Sequence, residues 1–352
     1  MRSFAVKMFC EPVEPMDTPD LRPKGSEVVI EVTHCGVCHS DLHLQDGVYN
    51  LGRGKTLSLA DRGVKLPLVP GHEIVGRLVA IGPDAPIGAD QIGRYFGVYP
   101  WLGCGECEVC RRGDENLCTA PAAIGIHRAG GYAEQCLVTH PRYLIDVDGL
   151  DHPVAAIYAC SGLTAYSALR KAPIDRDKDW LLIIGAGGVG QNAIHIAKAL
   201  GQRNIAVVDI DPAKREAARQ SGAGIVLDSG DATAAATLKD LPGGVAATVD
   251  FVGSSETASF GIDVLRKSGL YVAVGLYGGE VSLPLPLLVL RSIGIKGSYV
   301  GNLAELKELF ELAKGGSLGA IPIETVPMAS ANAALDRLRG GQAEGRLVLT
   351  RD

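Results

Sequence analysis

A glycine-rich turn between an apolar strand and a helix restricts the fold of this chain more than any other feature. The run Trp180-Leu-Leu-Ile-Ile184 is typical of a buried strand, and Gly185-Ala-Gly-Gly-Val-Gly190 follows it directly at the start of a helical pattern. The next apolar run ends on an acidic residue, Asp209. This order of strand, glycine turn, helix and acidic strand end predicts a dinucleotide-binding unit.

The glycines of this turn have separate predicted tasks. Gly185 permits the tight turn, Gly187 lets the backbone approach a pyrophosphate, and Gly190 allows the helix to pack closely on the strand. The predicted cofactor contacts in the turn are Gly185, Gly187, Gly188, Val189 and Gly190. Asp209 would accept hydrogen bonds from the ribose and repel a 2′-phosphate, which favours NAD over NADP. A glycine-rich connection without a cofactor is the alternative.

The pattern around this unit predicts an α/β fold with two domains. From about residue 154, short apolar runs alternate with helical segments, which indicates a doubly wound parallel sheet. Residues 1 to about 150 are instead rich in strand patterns and in Gly and Pro, which suits a small β-rich domain. A chain of 352 residues is also longer than one hydrophobic core usually serves.

Composition excludes several classes of partner. The formal net charge is −6, so there is no basic surface for nucleic acid. The longest apolar stretch without charge, Trp180 to Ala197, contains four glycines and several polar residues, so a membrane span is a poor interpretation. Nine cysteines without a secretion signal favour reduced thiols and metal over disulfides, and the cytoplasm as the compartment.

Four cysteines form a compact cluster in the sequence. Cys104, Cys107, Cys110 and Cys118 have the spacing Cys-x2-Cys-x2-Cys-x7-Cys. Four thiolates in one short loop can surround a zinc ion completely, which is typical of a structural site. An iron–sulfur cluster is the alternative, because cysteine runs also bind such clusters.

A second metal signal is dispersed over the chain. Cys38 opens the run Cys38-His-Ser-Asp-Leu-His43, His72 precedes Glu73, and Cys160 begins Cys160-Ser-Gly162. Two thiolates and an imidazole make a zinc site with one open position, as in catalytic zinc sites. Sequence distance alone does not show that these three residues meet, and a lone histidine or buried cysteine is more often structural.

Together these motifs resemble those of the zinc-dependent medium-chain alcohol dehydrogenases, and more closely their short, typically tetrameric microbial branch. Gly297-Ser-Tyr-Val-Gly301 adds to the likeness, which covers the whole chain. The resemblance implies a GroES-like catalytic domain over residues 1–153, a Rossmann NAD-binding domain over 154–292, and a return to the catalytic domain over 293–352. It also implies a homo-oligomer, with a tetramer favoured over a dimer.

The resemblance assigns roles residue by residue. Cys38, His72 and Cys160 are similar to the ligands of a catalytic zinc, and the four-cysteine loop to a structural zinc site, which makes two zinc ions per chain. Ser40 and His43 are similar to a relay that removes the alcohol proton, Asp41 to the carboxylate that orients His72, and Glu73 to a carboxylate that approaches the metal. The implied cofactor contacts outside the glycine turn are His39, Lys214, Val252, Gly275, Leu276 and Arg346. Lys214 is equally well explained as a surface helix residue.

The substrate pocket is the least constrained part of the prediction. Tyr49 and Trp101 stand where the family often has pocket aromatics. Residues 47–67 form a polar, glycine-containing stretch, longer than the usual connection, which predicts either a lid or a solvated loop. The expected reaction interconverts a primary or secondary alcohol and its aldehyde or ketone. A polyol dehydrogenase or another zinc enzyme of the superfamily, or an enzyme that mainly reduces carbonyls, is the alternative.

Overall fold

The computed structural model describes residues 1–351. Its strands are β1 (Arg2–Ala5), β2 (Glu14–Asp17), β3 (Val28–Gly36), β4 (Val48–Gly52), β5 (Lys55–Ser58), β6 (Glu73–Ile81), β7 (Tyr95–Val98), β8 (Gln135–Val138), β9 (Leu144–Asp146), β10 (Trp180–Ile184), β11 (Asn204–Val208), β12 (Ile225–Leu227), β13 (Val245–Asp250), β14 (Leu265–Ala273), β15 (Gly294–Gly297), β16 (Ile323–Pro327) and β17 (Arg346–Thr350).

The helices lie mainly in the second half of the chain. They are α1 (His39–Asp46), α2 (Glu108–Arg111), α3 (His152–Ile157), α4 (Leu163–Arg170), α5 (Gly188–Ala199), α6 (Pro212–Gln220), α7 (Ala234–Lys239), α8 (Ser255–Asp263), α9 (Leu285–Arg291), α10 (Leu303–Lys314) and α11 (Ala331–Arg339). A π-helical turn, Tyr158–Gly162, joins α3 to α4. Short 3₁₀ turns cover Ala89–Gln91, Glu115–Leu117, Pro141–Tyr143 and Met328–Ser330.

The second half of the chain forms the predicted parallel sheet. Its strand order is β12-β11-β10-β13-β14-β15, and every neighbouring pair is parallel. The order reverses between β10 and β13, and ligands of doubly wound sheets bind at such a switch point. β10 and β13 are buried along nearly their whole length because helices cover both faces, which explains their continuous apolar runs.

The first half of the chain folds around a mostly antiparallel sheet. The order is β16-β17-β3-β6-β7-β9, with β8 also paired to β3. The last strand, β17, pairs antiparallel with β3 through Leu349 and Cys35. The C-terminal strands β16 and β17 therefore return to the sheet that the first part began, whereas β15 still belongs to the parallel sheet.

The stretch 47–67, predicted as a lid or a solvated loop, contains a β-hairpin. β4 and β5 pair antiparallel across a turn in which Gly52, Arg53 and Gly54 all have positive φ. The hairpin reaches the parallel-sheet half of the chain, since a Cβ at Gly52 would lie 3.0 Å from the backbone of Gly279. Sequence reasoning missed these strands because their side chains are mostly exposed and show no alternation of polar and apolar residues.

One large hydrophobic core joins the two halves of the molecule. It includes Ile30 and Leu78 of the antiparallel sheet, Leu163 of α4 and Ile183 of the parallel sheet. A second cluster covers the other face of the parallel sheet, and a small one, with Leu59 and Val64, lies under the hairpin. The shared core fixes the cleft between the halves. No helix within residues 1–351 has the length and apolar character that a membrane crossing requires.

Candidate active site and metal centres

Cys38, His72 and Cys160 meet in the cleft between the two halves. Their ligand atoms all lie within 4.8 Å of one another, and all three residues are buried. Cys38 caps the N-terminus of α1, His72 directly precedes β6, and Cys160 lies in the π-helical turn. The tertiary fold thus brings together three residues that the sequence holds far apart.

The chemistry of this cluster fits zinc. The Sγ atoms of Cys38 and Cys160 are 3.9 Å apart, close to the edge of about 3.8 Å that a tetrahedron with 2.3 Å zinc–sulfur bonds requires. Nε2 of His72 is buried without a hydrogen-bond partner, as a free metal ligand would be. The contact with Cys160 holds the pKa of the Cys38 thiol well below its usual range, which favours the thiolate that binds metal.

Asp41 is in contact with two of the three ligand residues, Cys38 and His72. Its Oδ1 accepts a hydrogen bond from the Gly71 amide and lies 3.4 Å from Nδ1 of His72, while its Oδ2 accepts from the Cys38 amide. The hydroxyl of Tyr132 also donates to Oδ2 at 3.3 Å. A fully buried carboxylate with these donors fixes the positions of two ligand residues at once.

Glu73 and Arg346 form a buried ion pair beside the cluster. Glu73 is fully buried and Arg346 is 5% exposed. The second carboxylate oxygen of Glu73 accepts a hydrogen bond from the Ser161 amide at 3.0 Å. Burial raises the pKa of Glu73 to about 7, against the opposing effect of Arg346. The resemblance implies a pyrophosphate contact for Arg346. In the structure its guanidinium pairs with Glu73, and its Nε is buried without a partner.

The glycine-rich turn has the geometry of a phosphate-binding loop. Gly185 has φ 87°, and a Cβ at Gly190 would lie 1.8 Å from the carbonyl oxygen of Gly185, so both positions require glycine. A Cβ at Gly187 would meet nothing within 4 Å, which leaves space for a ligand. The first amides of α5 have no side-chain cap and are available to an anion. The turn therefore fits the pyrophosphate of a dinucleotide.

Arg346 and Asp209 both contact this turn. The Arg346 side chain packs on Gly188 so closely that a Cβ there would lie 2.4 Å from its Cδ. Asp209 accepts hydrogen bonds from the amides of Ala186 and Asp211. Lys214 lies 3.7 Å from the carboxylate of Asp211, on the same rim. Arg346 consequently contacts both Glu73, beside the cluster of three ligand residues, and Gly188 of the glycine-rich turn.

Helix α1 carries the residues predicted to move a proton. Ser40 Oγ lies 3.8 Å from Cys38 Sγ, and His43 is on the same face one turn later. The His43 ring is 4.8 Å from the ring of Tyr49. Burial lowers the pKa of His43, so its imidazole is neutral and can accept a proton. His39 is exposed at the start of the helix.

A cavity of about 510 Å³ is lined by Tyr49, whose ring lies 4.8 Å from that of His43, and by Tyr299, whose ring lies 5.9 Å from that of Trp101. None of the three clustered ligand residues lines it. The hairpin, the four-cysteine loop and the ends of the parallel strands line it, including Tyr49, Leu117, Gly253, Leu276 and Tyr299. Backbone forms part of this wall, since a Cβ at Gly275 would lie 2.2 Å from the carbonyl carbon of Val252. Most lining side chains are apolar, which suits the carbon skeleton of a small organic substrate.

Trp101 does not line this cavity. It is buried and donates from Nε1 to the Ala159 carbonyl at 2.9 Å. Its ring centroid lies 5.3 Å from that of His72, with the two rings tilted by 57°. Tyr299, which the sequence did not single out, stands between Trp101 and the cavity. The signal that could have found it was the motif Gly297-Ser-Tyr-Val-Gly301, in which it is the aromatic residue.

The four-cysteine loop has the geometry of a single-ion site. The Sγ atoms of its cysteines lie within 4.8 Å of one another, and two pairs are 3.8 and 3.9 Å apart. These separations equal the edge of a zinc–thiolate tetrahedron, about 3.8 Å, and leave no space for a cluster of iron and sulfide. Glu115 anchors the loop through hydrogen bonds from Tyr143 and Arg142.

Comparison with known proteins decides the family. A model described as alcohol dehydrogenase GroES-like domain matches residues 24–148, and one described as zinc-binding dehydrogenase matches residues 188–315. The NAD-dependent alcohol dehydrogenase of Sulfurisphaera tokodaii is 37% identical over 99% of both chains. The chain belongs to the zinc-dependent alcohol dehydrogenase family. The predicted family, fold class and enzyme type, an NAD-dependent zinc alcohol dehydrogenase, are confirmed.

Solved alcohol dehydrogenase structures share the fold over the full length. The alcohol dehydrogenase of Aeropyrum pernix aligns with a TM-score of 0.89 and 28% identity, covering 99% of this chain and 100% of that one. The acetophenone reductase of Geotrichum candidum, solved in complex with NAD, aligns with a TM-score of 0.85 and 31% identity, covering 99% and 96%. This alcohol dehydrogenase therefore has the fold of its family throughout both halves.

Proposed function

We propose that this alcohol dehydrogenase holds a catalytic zinc on Cys38, His72 and Cys160, with the fourth position directed at the cavity. The observation that carries this is the convergence of three buried ligand atoms within 4.8 Å. The cavity of about 510 Å³ that Tyr49 and Tyr299 line would receive the substrate. The substrate is a primary or secondary alcohol, or the matching aldehyde or ketone, and the cofactor is NAD.

The chain's own residues position the reactants and move the proton. Bound zinc would make an alcohol more acidic, and NAD would exchange a hydride with its carbon. Ser40 lies close enough to Cys38 to accept a hydrogen bond at the metal site, and His43 stands one helical turn further towards solvent. We assign the alcohol proton to Ser40 first and then to His43, whose neutral imidazole accepts it.

Residues along the cleft hold the cofactor. The amides at the start of α5 would bind the pyrophosphate, with His39 and Arg346 beside it. The strand ends with Val252, Gly275 and Leu276 would lie along the nicotinamide. Asp209 turns its carboxylate towards the glycine turn, where it would accept from the adenosine ribose and repel a 2′-phosphate. Lys214 would lie at the edge of the same ribose.

Glu73 controls the charge next to the catalytic metal. Its pairing with Arg346 balances a carboxylate that is otherwise buried among two thiols and an imidazole. A carboxylate in this place can approach the metal when ligands exchange, and Arg346 would limit that approach. Because Arg346 also packs on Gly188, binding of the pyrophosphate and the position of Glu73 are linked.

Two zinc ions per chain are part of the proposal. The four-cysteine loop would hold the second ion, which has no open position and serves structure alone. Metal analysis of the purified enzyme should return two zinc equivalents per chain. One equivalent would show that only one of the two clusters is a zinc site.

The reaction itself is tested with a substrate panel. The enzyme is assayed with primary, secondary and polyhydroxy alcohols, each with NAD and with NADP, and with the corresponding carbonyl compounds in reverse. We expect NAD-dependent oxidation of monohydroxy alcohols with an apolar chain, because leucine side chains dominate the cavity wall. Preference for polyols, or for NADP, would contradict the proposal.

A homo-oligomer is proposed from the surface of the parallel-sheet half. Of the fifteen exposed large apolar side chains in residues 1–351, nine lie between residues 276 and 299. Strand β15 pairs only with β14, so its outer edge is open. A second copy can pair with such an edge about a two-fold axis and cover the apolar residues of α9. A tetramer would combine two such dimers.

The domain division remains a proposal of the same kind. Residues 1–153 and 293–352 would form the catalytic domain and residues 154–292 the NAD-binding domain. Since β15 (Gly294–Gly297) pairs with β14, we move the second boundary just beyond Gly297. All nine cysteines are free thiols in the structure, which supports a reducing compartment such as the cytoplasm.

A further inference from the structure

The substrate cavity contains a cation that the proposed reaction does not use. Arg62, which follows β5, lines the cavity. Its side chain has no carboxylate within ion-pair distance among the described residues. Nor does any aspartate or glutamate of the described chain line the cavity. Arg62 is exposed, so water solvates its charge in the free enzyme, and no acidic residue of the cavity wall competes with an anionic ligand for it.

The charge of Arg62 acts on two tyrosines of the cavity wall. Tyr49 and Tyr299 both line it, and both also stand close to the proposed zinc ligands. Burial raises the pKa of both tyrosine hydroxyls, and the positive charge of Arg62 opposes that rise in each. The guanidinium and the two tyrosines therefore line the same cavity, and a molecule bound there would lie near the charge of Arg62.

A second donor lies next to Arg62. His127 also lines the cavity, and its Nδ1 is buried without a hydrogen-bond partner. Gly63, the neighbour of Arg62, packs on this ring, since a Cβ there would lie 4.0 Å from Cδ2 of His127. An imidazole with a proton on Nδ1 can donate to an oxygen that Arg62 also binds.

The remaining wall is apolar. Leu51 and Leu57 of the hairpin line the cavity together with Leu59, Leu117 and Ile126. A hydrocarbon chain fits this lining. The cavity wall therefore combines apolar side chains with a guanidinium and an imidazole.

We propose that Arg62 determines substrate specificity by binding a carboxylate at the far end of the substrate. The substrate class is then an ω-hydroxy carboxylate, or the corresponding aldehyde acid in the reverse direction. This inference rests on the proposed function, because it takes the alcohol end of the molecule to the proposed zinc site. A guanidinium suits the task because its planar donors match both oxygens of a carboxylate.

The test compares matched substrates with the zinc-loaded enzyme and NAD. One measures kcat/KM for ω-hydroxyhexanoate and for hexanol, and repeats the pair over shorter and longer chains. In Arg62→Gln, the ratio of the two values should fall by about tenfold, the loss expected for one charge-assisted hydrogen bond. The effect should peak at one chain length and vanish for chains too short to span the cavity.

A charge-reversal variant and a matched control distinguish substrate recognition by Arg62 from a structural role of this residue. Arg62→Glu should turn the preference towards ω-aminohexanol, which a purely structural role of Arg62 would not do. Lys65→Gln removes a positive charge from the same exposed segment, outside the cavity lining, and should leave the substrate ratio as in the wild type. An Arg62→Gln ratio equal to the wild-type ratio would overturn the proposal.

A binding measurement tests the role of Arg62 independently of the proposed alcohol dehydrogenase reaction. Calorimetry on the complex with NADH gives the affinity for ω-hydroxyhexanoate without turnover, and Arg62→Gln should weaken it by about tenfold. If neither alcohol is oxidised, the proposed function fails, and the calorimetry still decides on Arg62. If hexanol is oxidised and the hydroxy acid binds equally well to both variants, only the role of Arg62 is refuted.

Discussion

At the scale of single residues, the site depends on buried charges that compensate one another. Glu73 and Arg346 are the clearest case, since removal of one partner from a buried ion pair typically costs about 3–5 kcal/mol. Asp41 is equally buried and is neutralised by hydrogen bonds from two backbone amides and a tyrosine. The proposed metal ligands are thus set in a polar surrounding of hydrogen bonds, which would keep a bound zinc ion in place.

His43 offers a direct test of the proton path. His43→Ala should lower kcat for alcohol oxidation about tenfold to a hundredfold, since a positioned proton acceptor contributes at least that much. The pKa of His43 lies below its ordinary value because of burial, so the imidazole becomes protonated, and oxidation slows, only at acidic pH. The variant should lose this acidic limb of the pH–rate profile.

The metal content provides the control for this experiment. His43 is not a proposed ligand, so His43→Ala should retain both zinc equivalents. An unchanged pH profile at normal zinc content would remove His43 from the relay. His195→Gln, a half-buried histidine outside the cleft, should keep the wild-type profile.

At the scale of elements, the β4–β5 hairpin closes one side of the cleft. It supplies Tyr49, Leu51 and Leu57 to the cavity wall and contacts the loop after β14. Arg53 at its tip forms an ion pair with Glu280 of that loop. The substrate cavity therefore exists only while the hairpin remains on the opposite half of the molecule.

Variants at two glycines of the hairpin turn distinguish the effect of losing this contact from the effect of backbone strain. Gly52 and Gly54 both have positive φ, at 87° and 73°, so alanine at either position is strained by about 1–2 kcal/mol. Only Gly52 touches the other half, while a Cβ at Gly54 meets nothing within 4 Å. Gly52→Ala should raise KM severalfold, and Gly54→Ala should lower stability alone. Equal KM values in steady-state assays of the two variants would refute the contact's role.

The four-cysteine loop is a second element that shapes the cavity. Asn116 donates to the Tyr299 carbonyl at 3.0 Å, and Leu117 and Cys118 line the cavity itself. Cys104→Ser should reduce the zinc content from two equivalents to one and lower the melting temperature by about 5 °C or more. Metal analysis and thermal unfolding of the same sample measure both effects.

The substrate profile of the same Cys104→Ser variant tests whether the four-cysteine loop shapes the cavity. Because the loop forms part of the wall, Cys104→Ser should change relative kcat/KM among alcohols of different size. Cys10→Ser, an exposed cysteine outside both clusters, is the matched control and should keep two zinc ions. Loss of both zinc ions in Cys104→Ser would show that the two sites do not act independently.

At the scale of the whole molecule, two halves with one shared core form a cleft. Outside this cleft, the surface around helix α9 is apolar and exposed. Helix α9 has no buried residue, and Val289 and Leu290 are 76% and 71% exposed. Such a patch on a water-exposed surface indicates a protein interface. We expect this face to be covered in the assembled enzyme.

A charge on this face should break the assembly. Leu290→Glu would place carboxylates against each other across a two-fold interface, which disfavours association. Light scattering with size-exclusion chromatography should show a smaller species than the wild type. Ile92→Glu, at an exposed apolar position in the other half, should leave the mass unchanged. A monomeric wild type, or an unchanged Leu290→Glu, would contradict the proposal.

Much of the fold was readable from local patterns. The apolar runs and glycine turn from residue 180 onward predicted the parallel sheet, because fully buried strands must be continuously apolar. The four-cysteine loop was also predictable from the sequence, because all its ligands lie within one short segment. The exposed hairpin strands escaped prediction, since neither face of them is buried enough to impose a pattern.

The sequence by itself determined the residue types for a zinc site, the glycine turn for a dinucleotide and, through family resemblance, the reaction. Only the tertiary structure decided that Cys38, His72 and Cys160 meet, that Arg346 pairs with Glu73, and that Arg62 faces the cavity. The physical reason is that these contacts join segments whose spacing along the chain carries no information. They depend on how two sheets pack around one shared core.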